Sequence, residues 1–292
     1  MATNGARSSP PPLRWGERTY VMGIVNVTPD SFSGDGLATP GRGVGEVVAA
    51  ALAQARAFAD AGADIVDVGA ESTRPAAYYG EHAAPDAATE RALAVPAVEA
   101  IARELGQRVW VSIDTYKGEV AAAAVEAGAR IVNDVWAARR DPGTADVAAR
   151  TGSYLVLMHN RERADSPGSV FDAVVEWLRR AVEHAVGRGV PRERLIVDPG
   201  IGFGKTPEHS IELLHRLGEL KEVLGLPLLV GTSRKRFIGE ILDGAPPDAR
   251  LEGTAASVAL AIGAGADVVR VHDVAAMVRT ARVADAVVRF RR

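Results

Sequence analysis

Cysteine is absent from the 292 residues. That excludes disulfide scaffolds, thiolate metal sites and thiol catalysis together, and it suits a reducing compartment. No run approaches the roughly 18 uninterrupted apolar residues of a membrane span, so a soluble protein is expected. Neither sign of charge dominates, the formal net charge being −3. Nucleic acid or an anionic membrane as the main partner would demand an excess of Lys and Arg, so any anion site must be local. Lysine itself is scarce: Lys117, Lys205, Lys221 and Lys235 are the only four among 34 basic residues. The first 17 residues, MATNGARSSPPPLRWGE, lack the apolar stretch of a secretory signal. They read as a flexible leader (1–17) ahead of one catalytic domain (18–292), and the cytoplasm is the expected location.

The length allows two domains, but α/β barrels of this size are common as one. Eight short runs rich in Val and Ile stand out: Tyr20 to Val27, Ile65 to Val68, Val109 to Ile113, Ile131 to Val132, Tyr154 to Met158, Leu195 to Val197, Leu228 to Val230 and Val268 to Val271. They are continuous rather than alternating in polarity, as in parallel strands covered on both faces. Between them lie stretches of helical period, at Val44 to Ala61, Ala87 to Leu105, Gly118 to Ala127, Ser169 to Val186, Leu251 to Ala264 and Val274 to Val288. Ser169 and Asp172 resemble a short-armed capping box. AGADIVDVG, AGARIVNDV and GAGADVVRVHD repeat one design of helix end, glycine turn, strand and polar tip. Eight such units predict a (β/α)8 TIM barrel of the α/β class. A doubly wound open sheet is the rival, and it would feed its ligand site from fewer loops.

The strand tips favour the barrel, because each carries polar residues. In order they are Asn26; Asp67 with Glu71 to Arg74; Asp114; Asn133 and Asp134; His159 and Asn160; Asp198; Ser233 to Arg236; and Arg270 with His272. One or two would be ordinary helix capping; all eight point to a convergent pocket at the C-terminal mouth. Asp114, Asn133 and Asp198 can bond the edge of a flat, nitrogen-rich ring. Arg74, Lys235, Arg270 and His272, with the amide of Asn26, suit an anion and come from units that a closed barrel makes neighbours.

GIVNVTPDSFSGDG (23–36), DVGAESTRP (67–75), VSIDT (111–115), VND (132–134), DPGIGFGKT (198–206), GTSRKRFIG (231–239) and RVHDV (270–274) together resemble the dihydropteroate synthase family, in order and over all but the leader. The resemblance implies a barrel that condenses 6-hydroxymethyl-7,8-dihydropterin diphosphate with p-aminobenzoate, releases pyrophosphate and uses Mg²⁺. It assigns Asp114, Asn133, Asp198 and Lys235 to the pterin. Asn26, Thr73, Arg74, Arg270 and His272 fall to the diphosphate, with Asn26 also meeting Mg²⁺, and Phe32, Pro75, Phe203 and Arg236 to p-aminobenzoate. Asp30, Thr73, Arg74 and Lys235 become the catalytic group, Asp30 steadying the cation that develops as diphosphate leaves. Thr28 and Pro29 belong with Asp30 to the first of two closing loops. A homodimer through barrel helices, sensitivity to sulfonamides and small-molecule substrates as the only other partners complete the expectation.

Plainer readings stand beside these. GIGFGKT is no P-loop, because Pro199 occupies the required first glycine, and Lys205 likewise spoils GxGxxG. Gly202 and Gly204 could simply pack a tight turn, and Asp114 and Asp198 could cap the helices that follow. His159 and Asn160 carry no assigned role, and His82, His184, His209 and His215 are expected at the surface. Arg236 stands where the family often has a small Ser, and it could face the aminobenzoate carboxylate or point away. Another pterin-binding barrel of the methyltetrahydrofolate methyltransferase type, or a catalytically silent paralogue, would have no use for TPDSF, STRP, SRK and RVHD. Of the lysines, only Lys221 has nothing in the sequence to suggest a task.

Overall fold

Val- and Ile-rich runs form strands buried on both faces, and the computed structural model, which describes residues 10–28, 36–38, 41–71, 84–161 and 169–290, contains all eight. They are β1 (Tyr20–Asn26), β2 (Ile65–Gly69), β3 (Trp110–Asp114), β4 (Ile131–Asp134), β5 (Tyr154–Met158), β6 (Leu195–Asp198), β7 (Leu229–Val230) and β8 (Val268–Val271). The pairing is parallel throughout, in the order β6-β5-β4-β3-β2-β1-β8-β7. The seam between β6 and β7 is joined by a parallel bridge from Val197 to Leu228, with the Val197 N–H donating to the Pro227 carbonyl at 2.9 Å. The result is a single α/β domain built on a nearly closed, eight-stranded barrel, as expected.

The six helices expected from periodicity are present as α1 (Val44–Ala61), α2 (Ala87–Leu105), α3 (Gly118–Ala127), α5 (Val170–Gly187), α9 (Leu251–Gly263) and α10 (Val274–Val288). Ser169 caps α5, its hydroxyl accepting the Asp172 N–H at 3.3 Å. Four more were not singled out: α4 (Gly143–Thr151), α6 (Pro207–His215), α7 (Leu217–Leu224) and α8 (Arg236–Ile241). None exceeds nine residues, too short for a 3.6-residue period to show in the sequence. Among the described residues no helix is long and apolar enough to cross a membrane.

Successive strand residues point to opposite faces, so every strand feeds two cores. Tyr20, Met22, Ile65, Ile131, Val156, Ile196, Leu229 and Val268 fill the barrel interior. Their out-of-phase neighbours, among them Val66, Val111, Val132, Leu155 and Val197, pack beneath the helices. This alternation places the site. Two residues beyond an interior position lie Asp67, Asn133, Asp198 and Arg270, and Asp114 lies two beyond the buried Ser112. An apolar floor therefore gives way to a ring of polar groups at the mouth.

The leader differs from expectation over its described part, 10–17. Leu13 is buried, Trp15 meets Tyr20 and Tyr154 edge-on at 5.7 Å, and the Trp110 indole donates to the Pro11 carbonyl at 3.0 Å. These apolar side chains cover the N-terminal end of the barrel, which accounts for their order.

Lys221 also differs, since it has a structural task. Its ammonium donates to Asp267 Oδ2 at 2.6 Å and to the Gly265 carbonyl. The fully buried Asp267 also accepts the N–H groups of Leu228 (2.9 Å) and Gly16 (3.1 Å). Leu228 is the residue bridged to Val197, so this carboxylate holds the seam. Asp267→Ala leaves a lysine and two N–H groups without their acceptor and should cost about 3 kcal/mol, read from urea midpoints. An unchanged midpoint would show that the seam does not depend on Asp267.

Candidate active site

The polar ring is organised by one guanidinium. Arg270 Nε donates to Asp67 Oδ2 at 2.7 Å and its Nη2 to Asp114 Oδ2 at 2.6 Å. Asn133 Nδ2 donates to the same Asp67 oxygen at 3.0 Å. The strands fix this arrangement, since Asp114 pairs with Asn133 across β3 and β4, and Ile24 with Asp67 across β1 and β2. The other oxygens, Asp67 Oδ1 and Asp114 Oδ1, are buried without a hydrogen-bond partner among the described residues. Burial pushes the Asp114 carboxyl up to about 8, with Asp67 adding to the rise and Arg270 working against it. The two carboxylates hold Arg270 firmly charged against the cost of its burial.

Opposite stands Asp198, the last residue of β6. Its Oδ1 accepts the Gly200 N–H at 2.7 Å, so it orders its own turn as a capping residue would. Burial raises its carboxyl, and Lys235 partly offsets the rise. The Lys235 ammonium donates to the Ile201 carbonyl and lies 4.4 Å from the centre of the Phe203 ring. The turn needs its glycines. Gly200 (φ 65°) and Gly204 (φ 53°) are left-handed, and a Cβ on either would lie within about 2 Å of the His159 or the Arg161 carbonyl oxygen.

The remaining tips separate into groups that face the mouth and groups that do not. The Ser233 hydroxyl accepts the His272 backbone N–H at 3.1 Å and lies 3.0 Å from Nδ1, so its own hydrogen can go to that nitrogen, leaving the ring hydrogen on Nε2. Asn26 closes β1 beside Gly69. Asp134, one residue out of phase with Asn133, turns outward. It accepts from the N–H groups of Trp136 and Ala138 and from the Thr144 hydroxyl, and burial lifts it to about 6 against those bonds. Arg236 is paired with Glu240 one turn along its own helix, at 2.6 Å. Lys117, between Glu71 and the fully buried Glu90, reaches about 12 because those two bonds outweigh burial. His159 and Asn160 are buried, and His209 is no simple surface residue, since it joins the N-terminal cap of α6 through Thr206. Pro29, Asp30, Phe32, Thr73, Arg74 and Pro75, with His82, lie outside the described residues.

The sequence profile of the family described as Pterin binding enzyme matches residues 22–272. Dihydropteroate synthase of Bacillus subtilis is 45% identical over 97% of this chain and 94% of its own. The chain belongs to the dihydropteroate synthase family. A family structure from Clostridium difficile, determined in the presence of pteroic acid, superposes with a TM-score of 0.85 at 41% identity, covering 95% of this chain and 99% of that one. Another, from Xanthomonas albilineans with 4-aminobenzoic acid, gives 0.82 at 41% identity over 92% and 93%.

Dihydropteroate synthases are transferases of folate biosynthesis, and the mouth just described is where this member gathers its polar groups. Sequence reasoning marked Asp67 as a tip but gave it no role, although its place two residues beyond the interior Ile65 was a usable signal. Ser233, behind His272, was likewise marked as a tip without a role, and the Ile201 carbonyl, which accepts from Lys235, left no mark. Asp114 and Asp134 both sit above their ordinary 3.8, at about 8 and about 6. Through these two groups the folded protein binds protons that the unfolded chain does not between about pH 4 and pH 8, and the stability they contribute falls as pH rises through that window, whereas the buried His159, held neutral, contributes in the opposite sense below its ordinary 6.5. Asp114→Asn should flatten the fall above about pH 6 and leave the lower part to Asp134. Urea midpoints across the range check this; a variant whose stability drops as steeply as the parent's above pH 6 contradicts it.

Proposed function

We propose that this mouth condenses 6-hydroxymethyl-7,8-dihydropterin diphosphate with p-aminobenzoate, and that the pterin ring lies over the Arg270 network. The supporting observation is the pair of buried carboxylate oxygens, Asp67 Oδ1 and Asp114 Oδ1, that lack donors among the described residues. Buried acceptors of this kind are costly unless a ligand supplies the hydrogen bonds, and the ring N–H and amino groups of a pterin do so. Asn133 and Asp198 offer further bonds along the ring edge, and the Lys235 ammonium, between Ile201 and Phe203, is within the same pocket to meet a ring acceptor. In this reading Arg270 has a task beyond the diphosphate, because its fork already neutralises the pterin's two acceptors.

The diphosphate then lies toward β1 and β8. His272 presents Nε2–H to it, and Thr73 and Arg74 of the second loop close on it. Among the described residues no cluster of three or more His, Asp or Glu could cage a metal alone. Mg²⁺ fits such a site only in its usual manner with phosphates, taking few protein ligands, and Asn26 at the end of β1 would hold it. When bound it neutralises charge on the leaving pyrophosphate. The arylamine nitrogen attacks the exocyclic methylene carbon, the carbon–oxygen bond to diphosphate breaks, and the nitrogen loses a proton to solvent. Asp30 steadies the positive charge that builds on the pterin, while Phe203, Phe32 and Pro75 flank the aminobenzoate ring. Arg236, paired with Glu240, would have to break that contact to reach the aminobenzoate carboxylate. The exposed apolar side chains Leu260 on α9 and Val283 and Val287 on α10 offer a surface for a homodimer. A cytoplasmic setting accords with the missing cysteines.

Purified protein given pterin diphosphate, p-aminobenzoate and Mg²⁺ should release pyrophosphate and form dihydropteroate. No pyrophosphate release would overturn the reading. Asp198→Asn should keep the fold and weaken pterin binding about tenfold or more, whereas an unchanged pterin affinity would remove Asp198 from the ring edge.

A further inference from the structure

Lys205 is the least expected charge in the molecule. Its side chain is 4% exposed, and its ammonium donates to His159 Nδ1 at 2.8 Å, to the Gly200 carbonyl at 2.8 Å and to the Phe203 carbonyl at 3.0 Å. None of these three partners is a carboxylate. Burial, with Arg161 and Lys235 nearby, pulls its pKa well below the ordinary lysine value, and the same surroundings hold the His159 imidazole neutral, at about 2. A neutral ring can offer Nδ1 as an acceptor. A buried amine whose direct partners include no carboxylate, Asp198 favouring its charge only through space, costs stability relative to apolar packing, so its contribution must be sought in geometry.

That geometry is the turn after β6. Left-handed backbone at Gly200, Gly202 and Gly204 reverses the chain repeatedly, and two lysines hold the carbonyls of residues 200, 201 and 203. Lys205 takes the first and third, and Lys235 takes the second. Phe203 lies between them, its carbonyl on Lys205 and its ring 4.4 Å from the Lys235 ammonium. Arg161 secures the far end, donating to the Gly204 carbonyl at 2.6 Å. By contrast, Asp67, Asp114 and Asn133 stand on other strands and share no bond with this turn.

We infer that Lys205 is a positioning residue for the second substrate: it fixes the turn that carries Phe203 and the Ile201 anchor of Lys235, and through them the seat of the aminobenzoate ring. The inference rests on the proposed condensation, with Phe203 beside that ring. A loosened turn leaves Asp67, Asp114 and Asn133 in place and reaches the pterin only through Asp198, bonded to Gly200, and Lys235, bonded to Ile201, whereas it displaces the aromatic wall directly, so the larger penalty falls on the aminobenzoate.

The test is steady-state kinetics on Lys205→Met, of similar length but without donors, alongside calorimetric binding of free pterin. The parent protein must form dihydropteroate; if it does not, the proposed function fails before Lys205 is examined. With an active parent, KM for p-aminobenzoate should rise about tenfold while pterin affinity changes less than about threefold. Phe203→Ala should raise the same KM, and the double variant should show less than the product of the two effects, because both act through one wall. Should Lys205→Met not fold, His159→Phe serves instead. It keeps the edge-on contact with Trp177, centroids 5.1 Å apart, and removes one acceptor, so a smaller rise in the same KM is expected. An unchanged KM for p-aminobenzoate, an equal loss for both substrates, or fully multiplicative effects with Phe203→Ala would each overturn the inference and leave Lys205 a purely structural residue.

Discussion

Without Arg270, Asp67 and Asp114 would be two carboxyl groups buried on neighbouring strands of the barrel mouth with no guanidinium bridging them. With it, two strands that neighbour each other and a third from the other end of the chain are tied at one point, at 2.7 and 2.6 Å. The guanidinium satisfies one oxygen of each carboxylate and leaves the other buried without a partner among the described residues. Removing one partner from such a group is costlier than never having built it, because the rest keep their charge. The mouth thus presents acceptors that a donor-rich ligand can complete, which a packed apolar core could not provide.

The scarcity of lysine acquires a structural meaning in this setting. Each of the four is committed: Lys117 to Glu71 and Glu90, Lys221 to the seam through Asp267, Lys205 to the Gly200 and Phe203 carbonyls of the turn after β6 and Lys235 to the Ile201 carbonyl of that turn. At Lys205 the amine reaches several carbonyls from a narrow stem, and at Lys235 it reaches the Ile201 carbonyl beside the Phe203 ring, tasks for which a planar guanidinium is ill shaped. Arginine takes the complementary work at position 270, where a rigid fork bridges two carboxylates.

Much of this was legible because strand parity is simple. Once the eight apolar runs are accepted as strands, the inward set follows from a period of two, and Asp114, Asn133, Asp198 and Arg270 fall into it. The same rule, applied more strictly, would have set Asp134 apart from Asn133, since adjacent strand residues face opposite ways. Arg236 carried its own signal too, with Glu240 one helical turn away. Leu13 and Trp15 were apolar enough to have argued against a loose segment at 10–17. What no local pattern could reveal was the pairing of Arg270 with Asp67, 203 residues away, or the burial of Lys205. The first depends on barrel closure. The second depends on left-handed glycines that turn a side chain beneath the loop it follows.

The claim that the Arg270 network is the pterin's seat, and more than a clamp for diphosphate, can be isolated by removing the diphosphate from the ligand. Calorimetric titration of free 6-hydroxymethyl-7,8-dihydropterin into the parent protein and into Arg270→Met, with folding of both verified by circular dichroism, makes the comparison. The account predicts that the variant loses about tenfold or more in affinity for this uncharged ligand, because Asp67 and Asp114 are no longer held and neutralised. Equal affinity in the two proteins, with a loss appearing only for the diphosphorylated pterin, would contradict it.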